Sequence, residues 1–299
     1  MAVHNAQLNS MTHLFCFGLG YSAAYLADDL IARGWHVAGT STRAIGSARL
    51  QARGFDGLVF DGRTHTPEVA EALQSATHIL LSIPPDAGGD PALRVFGEDI
   101  ASAPNIGWIG YLSTVGVYGD ANGGWVDEDT PAQPLSDRGQ RRLAAETAWR
   151  AFGKRTGKAV MVFRLPGIYG PGRSTLDDLR GGEARRIIKP EQVFNRIHVA
   201  DIAASIAAGI AAPRADRVYN VTDDEPGPPQ DVVAFGAELL GMPVPPGLDF
   251  ATTELTPMAR SFYSESKRVS NARLHQELGV KLKYPTYREG LRGIYDAGG

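Results

Sequence analysis

The chain has 299 residues, of which 43% are hydrophobic and 21% are charged, and its formal net charge is −3. This length fits one large α/β domain, or a cofactor domain with a smaller substrate lobe. The weak acidic balance argues against a nucleic-acid partner, which would require a clustered basic excess. The single cysteine, Cys16, excludes an internal disulfide and a multi-cysteine metal site, and the sequence predicts no metal site.

The amino terminus carries no pattern of a signal peptide. Residues 1–12 lack a basic segment followed by an apolar one, and the chain contains no run of about 18 apolar residues. We therefore expect a soluble, cytoplasmic protein without a membrane partner. We expect residues 1–10 to form a disordered extension.

Apolar runs and helical patterns alternate along the first half of the chain. The predicted elements are strand 13–18, helix 21–33, strand 35–40, helix 43–53, strand 57–60, helix 67–74, strand 78–83, helix 91–101, strand 106–113, helix 136–152 and strand 159–165. This alternation predicts βαβ units, and the nearly continuous apolar strands predict a parallel sheet with both faces covered. The expected fold class is α/β, with a Rossmann-type doubly wound sheet.

The composition changes after Pro166, where Gly, Pro and Arg become frequent. Helices are predicted at 199–212, 229–240 and 271–278, and a further strand of the main sheet at 217–221. We interpret residues 11–165 as a cofactor-binding domain. Residues 166–299 are interpreted as a smaller substrate-side lobe that interleaves with the last strands of the main sheet.

A glycine pattern joins the first predicted strand to the first predicted helix. Gly18 permits a tight turn, Gly20 lets a pyrophosphate approach the backbone, and Ala23 lets the helix lie close to the sheet. Tyr21 and Ser22 complete the helix start, whose N–H groups and dipole favour phosphate. The pattern predicts a dinucleotide site, and the alternative is a plain βα turn.

The end of the second predicted strand distinguishes the two nicotinamide cofactors. An NAD site usually places a carboxylate there for the ribose 2′-hydroxyl. This chain has Ser41, Thr42 and Arg43 instead, which favours the 2′-phosphate of NADP(H) over NAD(H). The alternative is that Arg43 is a solvated residue at a helix start.

Two further positions border the predicted cofactor groove. Asp61 follows the third predicted strand and could contact the adenine, although a turn-forming role is the alternative. Ile83 and Pro84 close the fourth predicted strand beside the groove.

Four ordered motifs resemble the extended short-chain dehydrogenase/reductase superfamily, which includes NAD(P)-dependent epimerases and dehydratases. They are the glycine pattern, residues 113–119 (STVGVYG), Arg164 with residues 167–171 (GIYGP), and residues 197–201 (IHVAD). The resemblance covers nearly the whole chain from Met11. It implies a homodimer and gives Thr114 the role of the Ser/Thr that hydrogen-bonds the reacting oxygen. The alternative is that this hydroxyl satisfies the local backbone.

The chain departs from the superfamily at its catalytic dyad. Aligned on Glu146, Arg138 stands where the family has tyrosine, and Arg142 stands where it has lysine. A guanidinium stays protonated at neutral pH, so Arg138 cannot be a general acid or base. Arg142 could still hold the ribose or orient Thr114. Because the two arginines are four apart on a helix, they could instead clamp an anionic substrate group together, and the alternative is a solvated basic face.

Two other departures concern the substrate. Val115 and Gly116 stand where nucleotide-sugar dehydratases have Asp-Glu, which argues against 4,6-dehydration. Gly167 stands where the family has the asparagine that contacts the substrate diphosphate. These departures count against nucleotide-sugar binding but do not exclude it.

The candidates for a replacement proton donor are Tyr118, Tyr169 and His198, with Tyr118 preferred because it follows a strand end. A histidine in such an apolar run is more often structural. We expect an NADP(H)-dependent oxidoreductase or epimerase-like enzyme acting on a small polar, anionic substrate. The alternative is a catalytically silent NADP(H)-binding sensor or scaffold.

Overall fold

The computed structural model describes residues 12–298. The predicted extension at residues 1–10 lies outside the described residues. Within the described part, no helix is both long enough and apolar enough to cross a membrane.

The strands are short and mostly buried. They are β1 (His13–Phe17), β2 (His36–Ser41), β3 (Asp56–Val59), β4 (His78–Leu81), β5 (Trp108–Thr114), β6 (Trp125–Val126), β7 (Ala159–Leu165), β8 (Gly167–Tyr169), β9 (Arg186–Ile188), β10 (Arg196–His198), β11 (Arg217–Asn220), β12 (Gly247–Asp249) and β13 (Arg268–Val269).

The helices follow most of these strands. They are α1 (Tyr21–Ala32), α2 (Ala44–Ala52), α3 (Pro67–Ser75), α4 (Pro91–Ser102), α5 (Asp137–Thr156), α6 (Thr175–Arg180), α7 (Val199–Ala211), α8 (Pro229–Leu239), α9 (Pro257–Phe262), α10 (Ala272–Leu278) and α11 (Tyr287–Asp296). A 3₁₀ turn covers Val115–Tyr118.

Seven strands form the central parallel sheet, in the order β11-β7-β5-β4-β1-β2-β3. The predicted α/β Rossmann-type fold is confirmed, because this order has the same arrangement as a dinucleotide-binding sheet. Every residue of β1 is buried, as expected for a strand covered on both faces.

The described residues form two compact units. One comprises residues 12–83 and 91–109, and the other comprises residues 84–90 and 110–298. The predicted division after residue 165 separates a cofactor-binding domain from a substrate-side lobe. This division by function stays a prediction.

The first unit contains β1–β4 and α1–α4. In it, β1 pairs with β2 on one side and with β4 on the other, both parallel. The β1–β2 register sets Cys16 opposite Gly39, and Leu14 opposite Val37. The carboxyl ends of these strands therefore meet at one edge, where the glycine turn begins.

The second unit contains β7 paired with β11, and three two-stranded pairs outside the main sheet. The pairs are β8 with β10, β9 with β12, and β6 with β13, all parallel. A separate apolar cluster packs α6, α8 and α11 together through Leu176, Val232, Tyr287, Leu291 and Ile294.

Candidate active site

The glycine turn after β1 has the geometry of a phosphate-binding turn. Gly18 has a φ of +82°, which a side chain would make unfavourable. A Cβ atom added there would lie 2.6 Å from Cγ2 of Ile83. The Gly18 N–H donates to Oγ1 of Thr40 at 2.9 Å, so the turn is tied to β2.

The start of α1 is open to an anion. Gly20 is the N-cap residue, and no side chain caps the helix there. A Cβ atom added at Gly20 would meet nothing within 4 Å. Tyr21, Ser22 and Ala23 form the first helical turn, which contains no acidic residue. This end of the helix therefore fits a pyrophosphate, because its N–H groups and dipole favour negative charge.

The end of β2 leads into a second helix start without a cap. Arg43 is the N-cap residue of α2, and no side chain caps that helix. Thr42 and Arg43 are exposed, and Ser41 is half-buried with its hydroxyl against Gly46. Within the described residues, the Arg43 guanidinium has no hydrogen-bond or ion-pair partner. The three predicted side chains therefore lie at one helix N-terminus. Their hydroxyl and guanidinium groups, together with the free N–H groups of the helix, are suited to binding a phosphate.

Asp61 stabilises a turn, which was the alternative to its predicted contact with adenine. Its Oδ1 accepts from the N–H groups of Arg63 and Thr64, both at 2.8 Å. Its Oδ2 accepts from the Thr64 hydroxyl at 3.0 Å. The Thr64 N–H, more than any other group, holds the pKa of Asp61 below its ordinary value. The carboxylate is thus committed to its own loop, and the predicted adenine contact gains no support.

Ile83 and Pro84 close the fourth strand region. Ile83 is half-buried beside Gly18, where it fixes the space left by the missing side chain. Pro84 is exposed and belongs to the second unit.

Thr114 ends β5 and caps the following 3₁₀ turn. Its Oγ1 accepts from the Gly116 N–H at 3.1 Å. The hydroxyl therefore satisfies local backbone, as its alternative role required. A hydroxyl has one donor besides its acceptor positions, so this contact still leaves the hydrogen for a substrate oxygen.

Arg142 reaches from α5 to the carboxyl end of β5. Its Nη1 donates to the Leu112 carbonyl at 2.7 Å and to the Tyr111 hydroxyl at 3.3 Å. Burial is the main cause that raises the pKa of Tyr111, with Arg142 acting against it. Arg142 therefore lies against the strand that carries Thr114, which agrees with a positioning role.

Arg138 takes a different partner from Arg142. It is exposed, and its guanidinium lies over the Phe262 ring at 5.3 Å. Arg142 instead contacts β5 and the Tyr111 ring. The predicted joint clamp on one anion gains no support from these contacts.

Tyr118 lies in the core. It is 4% exposed, and its hydroxyl donates to Oδ1 of Asn220 at 2.7 Å. The Arg164 guanidinium lies 4.8 Å from its ring centre, and burial raises its pKa to about 12. A hydroxyl already donated inside the core cannot serve as a substrate proton donor in this conformation. The buried contact of Tyr118 therefore argues against the predicted role of this residue as the proton donor.

The other two candidates also have structural partners. His198 is buried, and its Nδ1 accepts from the Ala200 N–H at 3.1 Å at the start of α7. Burial, aided by Lys283, lowers the pKa of His198 to about 4. The Tyr169 hydroxyl donates to the Thr286 carbonyl at 3.4 Å, and burial is the main cause that raises its pKa.

A buried ion pair supports the strand that carries Thr114. Ser113 donates to Oε1 of Glu146 at 2.5 Å. Arg164 donates to Oε1 and Oε2 of the same carboxylate at 3.1 and 2.7 Å. Glu146 is 1% exposed, so the network joins β5, α5 and β7 in the interior.

Sequence reasoning missed a cavity in the second unit. It has a volume of about 190 Å³ and is lined by β8, the start of β10, and residues of α6, α8 and α11. Arg196 lines it, and Asp223, whose N–H donates to the Arg196 carbonyl at 2.7 Å, lies beside it. A single arginine and a single aspartate in a loop-rich segment give no pattern that a sequence can reveal.

The parallel sheet with its glycine turn defines a nucleotide-binding, oxidoreductase- or epimerase-like fold. No protein-family model matches the sequence. The chain is similar to Protein YeeZ of Escherichia coli (strain K12), with 29% identity over 281 residues, which are 90% of this chain and 94% of that protein.

Solved structures extend the similarity. A functionally unknown conserved protein from Silicibacter pomeroyi is 48% identical, with a TM-score of 0.87 over 96% of this chain and 99% of that one. A Methylobacillus flagellatus protein assigned as an NAD-dependent epimerase/dehydratase is 26% identical, with a TM-score of 0.68 over 96% and 98%. The dTDP-glucose 4,6-dehydratase of Bacillus anthracis, solved with NAD, has a TM-score of 0.75 at 17% identity over 96% and 97%.

The structural neighbours of the chain are thus NAD-dependent epimerase/dehydratase family members of the extended short-chain dehydrogenase/reductase superfamily. The resemblance predicted from the four motifs is thereby confirmed.

Proposed function

We propose that the protein is an NADP(H)-binding oxidoreductase or epimerase-like enzyme that acts on a small, anionic substrate. One observation carries the cofactor part. Two of the uncapped helix starts in the first unit, at Gly20 and at Arg43, follow the neighbouring strands β1 and β2 and have no acidic residue in their first turns. The first suits a pyrophosphate and the second suits a ribose phosphate.

The preference for NADP(H) rests on Arg43. The end of β2 carries no carboxylate for a ribose 2′-hydroxyl, and instead has an arginine that contacts no hydrogen-bond or ion-pair partner among residues 12–298. Ser41 and Thr42 add hydroxyl groups. The dehydratase of similar fold was solved with NAD, so the preference is a property we assign to this chain's own residues.

The nicotinamide supplies a hydride acceptor or donor when the cofactor is bound. Thr114 donates its hydroxyl hydrogen to the reacting oxygen while Gly116 holds its oxygen in place. Arg142, fixed to the Leu112 carbonyl, keeps a positive charge against β5. Arg138 and Arg142 stand at the family's Tyr and Lys positions, and α5 contains no tyrosine. The proton donor therefore differs from that of the family.

A silent NADP(H) sensor or scaffold is the second candidate, and the same absence of tyrosine from α5 favours it. The two candidates differ in turnover. Oxidation of NADPH with a panel of carbonyl compounds, dependent on Thr114, supports the enzyme. The cytoplasmic location and the homodimer remain predictions.

The cofactor proposal is tested by calorimetric titration with NADPH and NADH. We expect Arg43→Gln to weaken NADPH binding about 10- to 100-fold, because hydrogen bonds to a charged group contribute roughly 1.5–3 kcal/mol, and to leave NADH binding unchanged. Arg49→Gln is the matched control, an exposed arginine later in α2. Gly20→Ala is expected to weaken the binding of both cofactors without changing stability, since its Cβ meets no atom of the described residues within 4 Å. Absence of binding by the wild-type protein, freed of copurified nucleotide, would contradict the proposal.

A further inference from the structure

The Arg196 guanidinium lines the cavity and lies 5.7 Å from the centre of the Tyr287 ring. Arg196 Nη1 donates to the Phe194 carbonyl at 3.1 Å and to the Gly227 carbonyl at 3.3 Å, which fixes the guanidinium. Within the described residues, no carboxylate forms an ion pair with Arg196. Arg196 is half-buried, and burial is the main cause that lowers its pKa. A half-buried cation without a counter-ion has lost part of its hydration, so pairing with an anion is favourable.

The neighbouring carboxyl group does not fill that role. Asp223 is 1% exposed, and neither carboxyl oxygen has a hydrogen-bond partner among the described residues. Burial, opposed by Arg196, raises the pKa of Asp223 to about 8. The raised pKa favours the neutral form of this carboxyl group, and it forms no ion pair with the guanidinium.

Most of the remaining cavity wall is apolar, although Thr175 and Asn195 also line it. Its wall includes the rings of Tyr169, Phe194 and Tyr287 and the aliphatic side chains of Ile168, Val232 and Leu291. Its volume of about 190 Å³ is below the roughly 300–1,000 Å³ of drug-sized sites. This space suits one ring with a short chain, rather than a nucleoside diphosphate.

We propose that this cavity, here called the Arg196 pocket, binds the carboxylate of a small aryl acid through Nε and Nη2 of Arg196, with the ring against the aromatic wall. The proposal rests on the proposed function and names its substrate class. A carboxylate matches the planar fork of a guanidinium and carries only one negative charge. A dianion would be disfavoured, since one cation faces the pocket and Asp223 lies beside it.

The test uses calorimetry with cinnamate and its neutral, isosteric amide, cinnamamide. We expect the wild-type protein to bind cinnamate at least 10-fold more tightly than cinnamamide, and Arg196→Gln to lose this preference. Arg292→Gln, an exposed arginine on α11 outside the pocket, should keep it. Equal affinities for acid and amide, or no binding of cinnamate, would overturn the proposal. Tighter binding of phenyl phosphate than of cinnamate would overturn the choice of a carboxylate.

Two further measurements keep the outcome unambiguous. Thermal unfolding shows whether Arg196→Gln is folded, and Arg196→Lys provides a second variant that keeps the charge but loses the planar fork. We expect Arg196→Lys to retain only part of the preference. NADPH titration of the same variants separates the two proposals. Retained NADPH binding with no acid preference rejects the pocket alone, whereas acid binding without NADPH binding rejects the cofactor.

Discussion

The Thr114 hydroxyl uses its acceptor capacity inside the protein and keeps its donor capacity. Gly116 occupies a lone pair of Oγ1, and this contact also fixes where the hydroxyl oxygen lies. A donor held in place before the reaction stabilises developing negative charge without reorganising. The same contact therefore serves the local backbone and the proposed chemistry.

A substitution series at Thr114 separates these two roles. With a carbonyl compound that the wild-type protein reduces, we expect Thr114→Val to lower kcat about 10²- to 10³-fold, as for loss of one oxyanion donor. Thr114→Ser should keep most of the rate, because it keeps the hydroxyl. Both variants should bind NADPH as the wild type does, as measured by titration. A Thr114→Val enzyme with an unchanged kcat would remove the residue from the mechanism.

Residue-level prediction from the sequence works where backbone geometry dictates the residue. Gly18 and Gly20 were predictable because a tight turn and a close phosphate each exclude a side chain. Tyr118 was preferred as the proton donor because it follows a strand end, but such a position does not say which way the ring points. The hydroxyl in fact meets Asn220, which is 102 residues away in sequence. Asp223 and Arg196 were missed for the same reason, since tertiary packing brings the buried carboxyl group close to the half-buried guanidinium.

Helix α5 shows how one element links the site to the core. Ser136 caps its start by accepting from the Gly139 N–H, and Gly157 ends it in the left-handed conformation. Between these ends, Arg142 contacts β5, and Glu146, one turn later, pairs with Arg164 of β7. The helix is thus fixed between two strands by charged contacts along one face.

Breaking the buried pair should destabilise the protein strongly. We expect Arg164→Met to lower the free energy of unfolding by about 3–5 kcal/mol, because it leaves the Glu146 carboxylate buried without its partner. The matched control is Arg53→Gln, which removes an exposed pair with Asp28 and should change stability by about 1 kcal/mol or less. Urea unfolding measures both values. Similar values for the two variants would show that the buried pair has no special weight.

The regular elements were predictable from the sequence, whereas the small ones were not. Each predicted strand of the central sheet and each predicted helix is present. These elements could be predicted because their apolar runs and helical periodicity persist over many residues. The strands in the pairs β6–β13, β8–β10 and β9–β12 have two or three residues each. Such strands are too short to show the alternation of apolar and polar residues that predicts a strand. Helix α11 was missed although its start carries a capping box between Thr286 and Glu289, which sequence alone could have revealed.

At the scale of the whole molecule, buried titratable groups make stability depend on pH in opposing directions. The folded-state pKa of His198 is lowered to about 4, so the unfolded chain binds this proton first as pH falls below about 6.5. Stability from His198 is therefore present above about pH 6.5 and is lost as pH falls toward 4. The pKa of Asp223 is raised to about 8, so its contribution is present at low pH and is lost as pH rises toward 8.

Because these contributions oppose each other between pH 4 and 6.5, the wild-type profile alone cannot assign them, and a difference profile is needed. His198→Asn keeps a side-chain acceptor at the start of α7 and removes the titrating ring. We expect the stability advantage of the wild type over this variant to shrink by about 1–3 kcal/mol as pH falls from 6.5 to 4. Urea unfolding at several pH values measures this difference. A constant difference would show that His198 titrates alike in the folded and unfolded chain, and that its burial does not govern the acid stability of the protein.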